Sequence, residues 1–207
     1  MKKFLLVVVI LVIALIGAWY FGLFKGKDMP SGPKPEGLTV SKHSSSFNES
    51  MSKAMNSYYD LTESFVNWDT AKVNSSIAAL KIAVDSIRIP EMQKDSAIYE
   101  TAQSTWESIK SEITGMQLDT SLYEKRESLN MLSDNLFNLL RIVKYDVAKV
   151  YYQECPMALN NHESSAFWLS ANSETKNRRN PYLGLHDPKY GKAMLTCGTT
   201  RDSIPRK

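Results

Sequence analysis

The residues of this 207-residue chain best equipped for chemistry are two cysteines and the methionines beside them. Cys155-Pro156-Met157 and Met194-Leu195-Thr196-Cys197-Gly198 each set a thiol and a thioether within one turn or one β-step of each other. If the two segments meet in space, Cys155, Met157, Met194 and Cys197 form a Cys₂Met₂ set. Such soft, polarisable donors favour Cu(I) over Mg²⁺, Ca²⁺ or Mn²⁺. Pro156 would stiffen the first segment, and Gly198 would let the backbone turn close to the site. The spacing leaves a second reading open. In an oxidising compartment the same two cysteines pair as a disulfide, closing a loop of about 43 residues that chain entropy makes worth about 4 kcal/mol.

Other candidates have plainer readings. Met51 and Met55 lie one helical turn apart beside aromatics, as core residues do. His162 and His186 stand in polar stretches and read as loop histidines, with an auxiliary metal-ligand role as the alternative. Trp168 and Tyr182 are expected to pack rather than stack on a ligand. The run containing Lys176, Arg178 and Arg179 reads as a solvated turn. Two Cys exclude a disulfide-rich scaffold and a four-Cys zinc site, and the three His lack the His-Glu-x-x-His spacing of a zincin. A Cys nucleophile with a His base would need a third group to orient it, and no such group or phosphate-binding loop is recognisable. The chain therefore reads as a binding protein rather than an enzyme.

The elements that must position these residues are mostly helical. Phe47, Met51, Met55, Tyr58, Tyr59, Thr62 and Phe65 recur at three- and four-residue steps, the stripe of an amphipathic helix. After a break at Trp68-Asp69, Asp69 caps a second helix with Val73, Ile77, Leu80 and Val84 inward, ended by Pro90. A third carries Ile98, Ala102, Trp106, Ile109 and Ile113 and is expected to stop at Gly115. Ser121 and Glu124 form a capping box for a fourth, striped by Leu122, Leu129, Leu132, Leu136, Leu139, Leu140 and Val143. Short connections predict an up-and-down four-helix bundle. Val150-Tyr151-Tyr152, Phe167-Trp168-Leu169 and Met194-Leu195-Thr196 then predict a small antiparallel β element of two or three strands. The fold class is thus mainly α.

Ahead of the bundle, Met1-Lys2-Lys3 precedes an uncharged apolar run from Phe4 to Phe24, roughly 31 Å long as a helix and enough to cross a bilayer. Residues 1–24 read as a transmembrane signal anchor, with cleavage as the alternative. Residues 25–42, with Gly26, Pro30, Gly32, Pro33, Pro35 and Gly37, read as an extended linker reaching up to roughly 50 Å. The folded domain spans 43–207. The short positive tail ahead of the run favours export, which places the domain in the periplasm on a single-pass inner-membrane anchor. With 25 Lys+Arg against 22 Asp+Glu, the net charge of +3 is too small to argue for a nucleic-acid partner.

Four blocks stand in order: Cys155-Pro156-Met157-Ala158, Phe167-Trp168-Leu169-Ser170, Asn180-Pro181-Tyr182-Leu183-Gly184 and Met194-Leu195-Thr196-Cys197-Gly198. In order and spacing they resemble a bacterial domain of unknown function often found at the C-terminus of copper and heavy-metal efflux adaptor (membrane-fusion) proteins. The helical region, from His43 through Tyr59 to Glu124-Lys125-Arg126, is similar to it too. The resemblance implies a periplasmic metal-binding module of helical-bundle type, for Cu(I) or another soft metal, with Cys155, Met157, Met194 and Cys197 as ligands and efflux components as partners. The chain has no room for an adaptor's lipoyl, barrel and coiled-coil domains, so the module is expected alone on its own anchor.

Overall fold

A computed structural model describes residues 42–206. The expected membrane anchor, residues 1–24, and all of the expected linker except Lys42 lie outside the described residues. Among the described residues, no helix is long and apolar enough to cross a membrane.

Among the described residues, four α-helices come first: α1 (Ser45–Val66), α2 (Thr70–Asp85), α3 (Ser96–Leu118) and α4 (Leu122–Ile142). Their starts are set locally. Asp69 accepts a hydrogen bond from the Lys72 N–H at 2.8 Å and caps α2. Ser121 and Glu124 form the reciprocal capping box of α4. Caps of this type contribute about 1 kcal/mol each. Each helix packs on the next in sequence, and the expected stripes of α1, α2 and α4 are buried except for Tyr59 and Leu122, which are half-buried against the core. In α3, Ala102, Ile109 and Ile113 are buried, while Trp106 is half-buried and donates its indole N–H to the Val84 carbonyl at 2.9 Å.

Two helix ends differ from expectation. Helix α2 stops at Asp85 rather than running to Pro90, which instead enters a short 3₁₀ turn at Ile89–Lys94. Helix α3 passes through Gly115 to Leu118, because Met116 beyond the glycine is buried and holds the last turn against the core. Burial of one apolar side chain, about 1.5–3 kcal/mol, outweighs the roughly 1 kcal/mol cost of a mid-helix glycine.

The C-terminal third is a three-stranded antiparallel sheet in the order β2-β1-β3, with β1 (Val150–Leu159), β2 (Ser164–Ser170) and β3 (Thr199–Ile204). Helix α4 packs against β1 and β2, and one apolar core runs from Phe47 in α1 to Ile204 in β3. Strand β1 continues past Pro156. The proline sits at an irregularity in the β1–β2 register, between Cys155 and Leu159, where a missing N–H disturbs the ladder least. The expected strand at 194–196 is not one. Lys192–Met194 is a 3₁₀ turn, closed further by the Cys197 N–H on the Met194 carbonyl at 3.0 Å, and the third strand begins only at Thr199.

Candidate functional site

Cys155 and Cys197 are joined by a disulfide with Cα atoms 5.7 Å apart. Of the two arrangements the sequence left open for these thiols, this is the bonded one. Cys155 is fully buried in β1, and Cys197 is half-buried in the turn before β3. Met157 and Met194 are each half-buried and packed against the apolar core, as is Cys197.

The surrounding residues force the two segments together. Gly198 has φ +130°, and a Cβ there would stand 2.6 Å from the Glu154 carbonyl oxygen and 2.9 Å from the Trp168 ring. Only glycine fits this close approach of the cysteine turn to β1. Asn180 is fully buried. Its N–H donates to the Leu195 carbonyl at 2.9 Å, and its side-chain oxygen accepts from the Tyr182 N–H at 2.8 Å. The Asn180–Gly184 block thereby anchors the Met194–Gly198 block.

Arg178 completes the frame. It is 4% exposed and donates from Nε to the Gln153 side chain at 3.0 Å and from Nη1 to the Gly198 carbonyl. Burial lowers its pKa. The expectation of a solvated turn is therefore corrected for Arg178. Arg178 is a buried strut between β1 and the cysteine turn, and Arg179 makes a two-pronged pair with Glu63 of α1, its Nε 2.6 Å and its Nη2 2.5 Å from the carboxylate. Arg179 and Lys176 both stay exposed, Lys176 beside Glu174. The signal for this strut is Gln153, a long polar residue in an aromatic strand, which needs a buried partner.

Trp168 and Tyr182 are buried packing residues in edge-to-face contact at 6.2 Å, and Met51 and Met55 are core. His186 is exposed. His162 is half-buried and its Nε2 lies 3.2 Å from the Asp187 carboxylate. Among the described residues, no group of three or more His, Cys, Asp or Glu side chains is arranged to hold a metal ion.

Chemically, the disulfide can be cleaved to two thiolates by an incoming thiol or phosphine, and Cys197 is the accessible sulfur for that attack. Once reduced, the pair can supply two soft donors from a frame already holding their backbones 5.7 Å apart.

Residues 54–146 match the model of one family, described as a protein of unknown function (DUF3347). No curated protein and no solved structure matches the chain. The DUF3347 match begins inside α1 and ends before β1, so it covers the helices. The resemblance drawn from the four C-terminal blocks was expected to extend over nearly the whole domain. The matched stretch instead stops nine residues short of Cys155.

Proposed function

We propose that this chain holds a soft metal ion, Cu(I) above others, outside the inner membrane and serves metal homeostasis or efflux. In this reading the metal is cargo, the anchor keeps the domain at the membrane, and efflux components receive the ion or are denied it. The reduced state is the loading state. Cys155 and Cys197 are the thiolate ligands, and Met157 and Met194 add thioether donors. The disulfide is the metal-free, oxidised state, reached when the two thiolates give up two electrons to an oxidant.

One observation carries the reading: thiols 42 positions apart in sequence meet at bonding distance on a frame of buried polar ties. Soft-donor chemistry supports Cu(I), since thiolates and thioethers rank it above the hard cations. The test is titration of the phosphine-reduced chain with Cu(I) against a competing chelator. Saturation at one ion per chain is expected, with at least a tenfold loss of affinity on replacing Cys155 and Cys197 together by Ser. Unchanged affinity in that variant overturns the proposal.

The buried position of Cys155 favours a second reading, in which the disulfide is permanent and the chain is a stapled interaction domain docking a membrane or efflux partner. Free-thiol counting on protein taken directly from the export compartment separates the two. A pair that is oxidised under every growth condition, copper stress included, favours the staple.

A further inference from the structure

Between the start of α4, the end of β1 and the loops at 160–162 and 182–188 lies a cavity of about 290 Å³. Its walls include Trp68, Tyr182 and Leu159, with Arg126 lining it from α4 and His162 and Asp187 from the loops. Arg126 is 4% exposed. Its Nε donates to the Pro181 carbonyl at 3.0 Å, its Nη2 donates to the Phe65 carbonyl at 3.1 Å, and its plane lies 4.1 Å from the Trp68 ring centroid. Its Nη1 has no acceptor and it forms no ion pair among the described residues.

A buried guanidinium without a paired carboxylate is costly, and proteins normally satisfy it. Asp187, which lines the same cavity, offsets part of that charge through space, but among the described residues it makes no hydrogen bond or ion pair with Arg126. Its Oδ1 accepts from the N–H groups of Lys189 and Tyr190 at 3.0 and 2.7 Å, and its Oδ2 faces His162. Burial depresses the Arg126 pKa to about 10, still well above neutrality, so the group stays cationic. The backbone around the cavity is also held in an unfavourable conformation. Among the described residues, five non-glycine residues have positive φ. Trp68, Asn160, Asn161 and His162 line this cavity, and only Lys144 lies elsewhere. A positive φ at a residue as bulky as Trp is uncommon and persists where the surroundings over-determine it. Here the Trp68 indole N–H donates to the Leu183 carbonyl at 3.0 Å, and Gly184 at φ +57° makes room for it.

We propose that this cavity binds a small organic carboxylate with an aromatic or branched apolar body, its carboxylate taking the free Nη1 of Arg126. The charge of the guanidinium selects an anion. The apolar walls select a body that acetate lacks, and the volume admits a single small ring rather than a peptide or a lipid chain. The site does not use the cysteines, so it stands or falls independently of metal binding.

The experiment is calorimetric and ligand-observed NMR titration of the full-length chain in mild detergent with benzoate, benzamidine and acetate. Benzoate is expected to bind saturably, one per chain, with Kd below about 1 mM. Benzamidine, the cationic analogue, should not bind, and acetate should bind at least tenfold more weakly than benzoate. Arg126→Gln should abolish benzoate binding. Because Arg126 also holds two backbone carbonyls, Leu159→Trp provides a second arm that fills the cavity and spares the guanidinium; it should weaken benzoate at least tenfold. Equal binding of benzoate and benzamidine, or benzoate affinity unchanged in Leu159→Trp, overturns the proposal.

Discussion

The backbone N–H of Leu169 in β2 donates to the phenolic oxygen of Tyr58 in the middle of α1, at 3.1 Å. The same phenol is 2.7 Å from the Ser133 hydroxyl of α4. One buried side chain thus ties two helices to the sheet across 111 positions of sequence. It also joins the part of the chain that matches DUF3347 to the part that carries the cysteines.

That geometry makes Tyr58→Phe a sharp test of coupling between bundle and sheet. The substitution keeps the ring and its packing but leaves the Leu169 N–H, and one side of Ser133, without a buried partner. A loss of about 1–3 kcal/mol is expected, read as a lower denaturant midpoint at unchanged slope. Burial raises the Tyr58 pKa above 10. Its contribution is therefore complete below pH 10 and disappears as pH rises toward the folded-state value. The wild type should lose stability there more steeply than the variant.

The disulfide makes a separate prediction for the oxidised chain. Replacing Cys155 and Cys197 together by Ala removes a cross-link between positions 42 apart and should cost about 4 kcal/mol in chemical denaturation. The folded state should keep its helical circular dichroism, since the helices end before β1. Collapse of the helical signal together with the sheet would mean the bundle depends on the staple.

At Gly198, an alanine meets both a positive φ and two close neighbours, the Glu154 carbonyl and the Trp168 ring. Neither backbone nor buried Trp168 can move cheaply. Gly198→Ala should destabilise the chain by about 2–3 kcal/mol and slow disulfide formation on oxidative refolding, measured by thiol trapping over time. Wild-type oxidation kinetics in this variant would show that the cysteine turn forms without the close approach.

The parts of the fold that were legible in the sequence are those decided by neighbours a few residues away. The cap at Asp69, the capping box at Ser121 and Glu124, and the stripe from Leu129 to Leu140 all stand as read. Strand β3 was not legible. Thr199-Thr200-Arg201-Asp202-Ser203 is polar and only Ile204 is buried, so no alternation marks it; pairing with β1 alone makes it a strand. The pairing of Cys155 with Cys197 was legible as one of two outcomes, and the glycine beside it for its physical reason. Arg126 and Arg178 were hidden for a common cause. Each is buried against backbone carbonyls rather than carboxylates, with the Gln153 amide as the one side-chain acceptor of Arg178, and no spacing rule exposes a cation held that way.

Asp187 supplies the last prediction, through pH. Burial alone would raise its carboxyl, but the Tyr190 N–H, His162 and the Lys189 N–H all favour the charged form, and the net shift is below the ordinary value of 3.8. A group depressed in the folded state stabilises the fold above its unfolded value and gives that up as pH falls through the folded one. The wild type should therefore lose this contribution only below about pH 4, as Asp187 takes up a proton. Asp187→Asn removes it at every pH. The variant should be less stable than wild type by about 1–3 kcal/mol at pH 7, and the gap should close as both are acidified below pH 4. Thermal unfolding from pH 3 to pH 7 reads both curves. Parallel curves with a constant gap would show that Asp187 acts through shape and hydrogen bonding, with no part played by its charge.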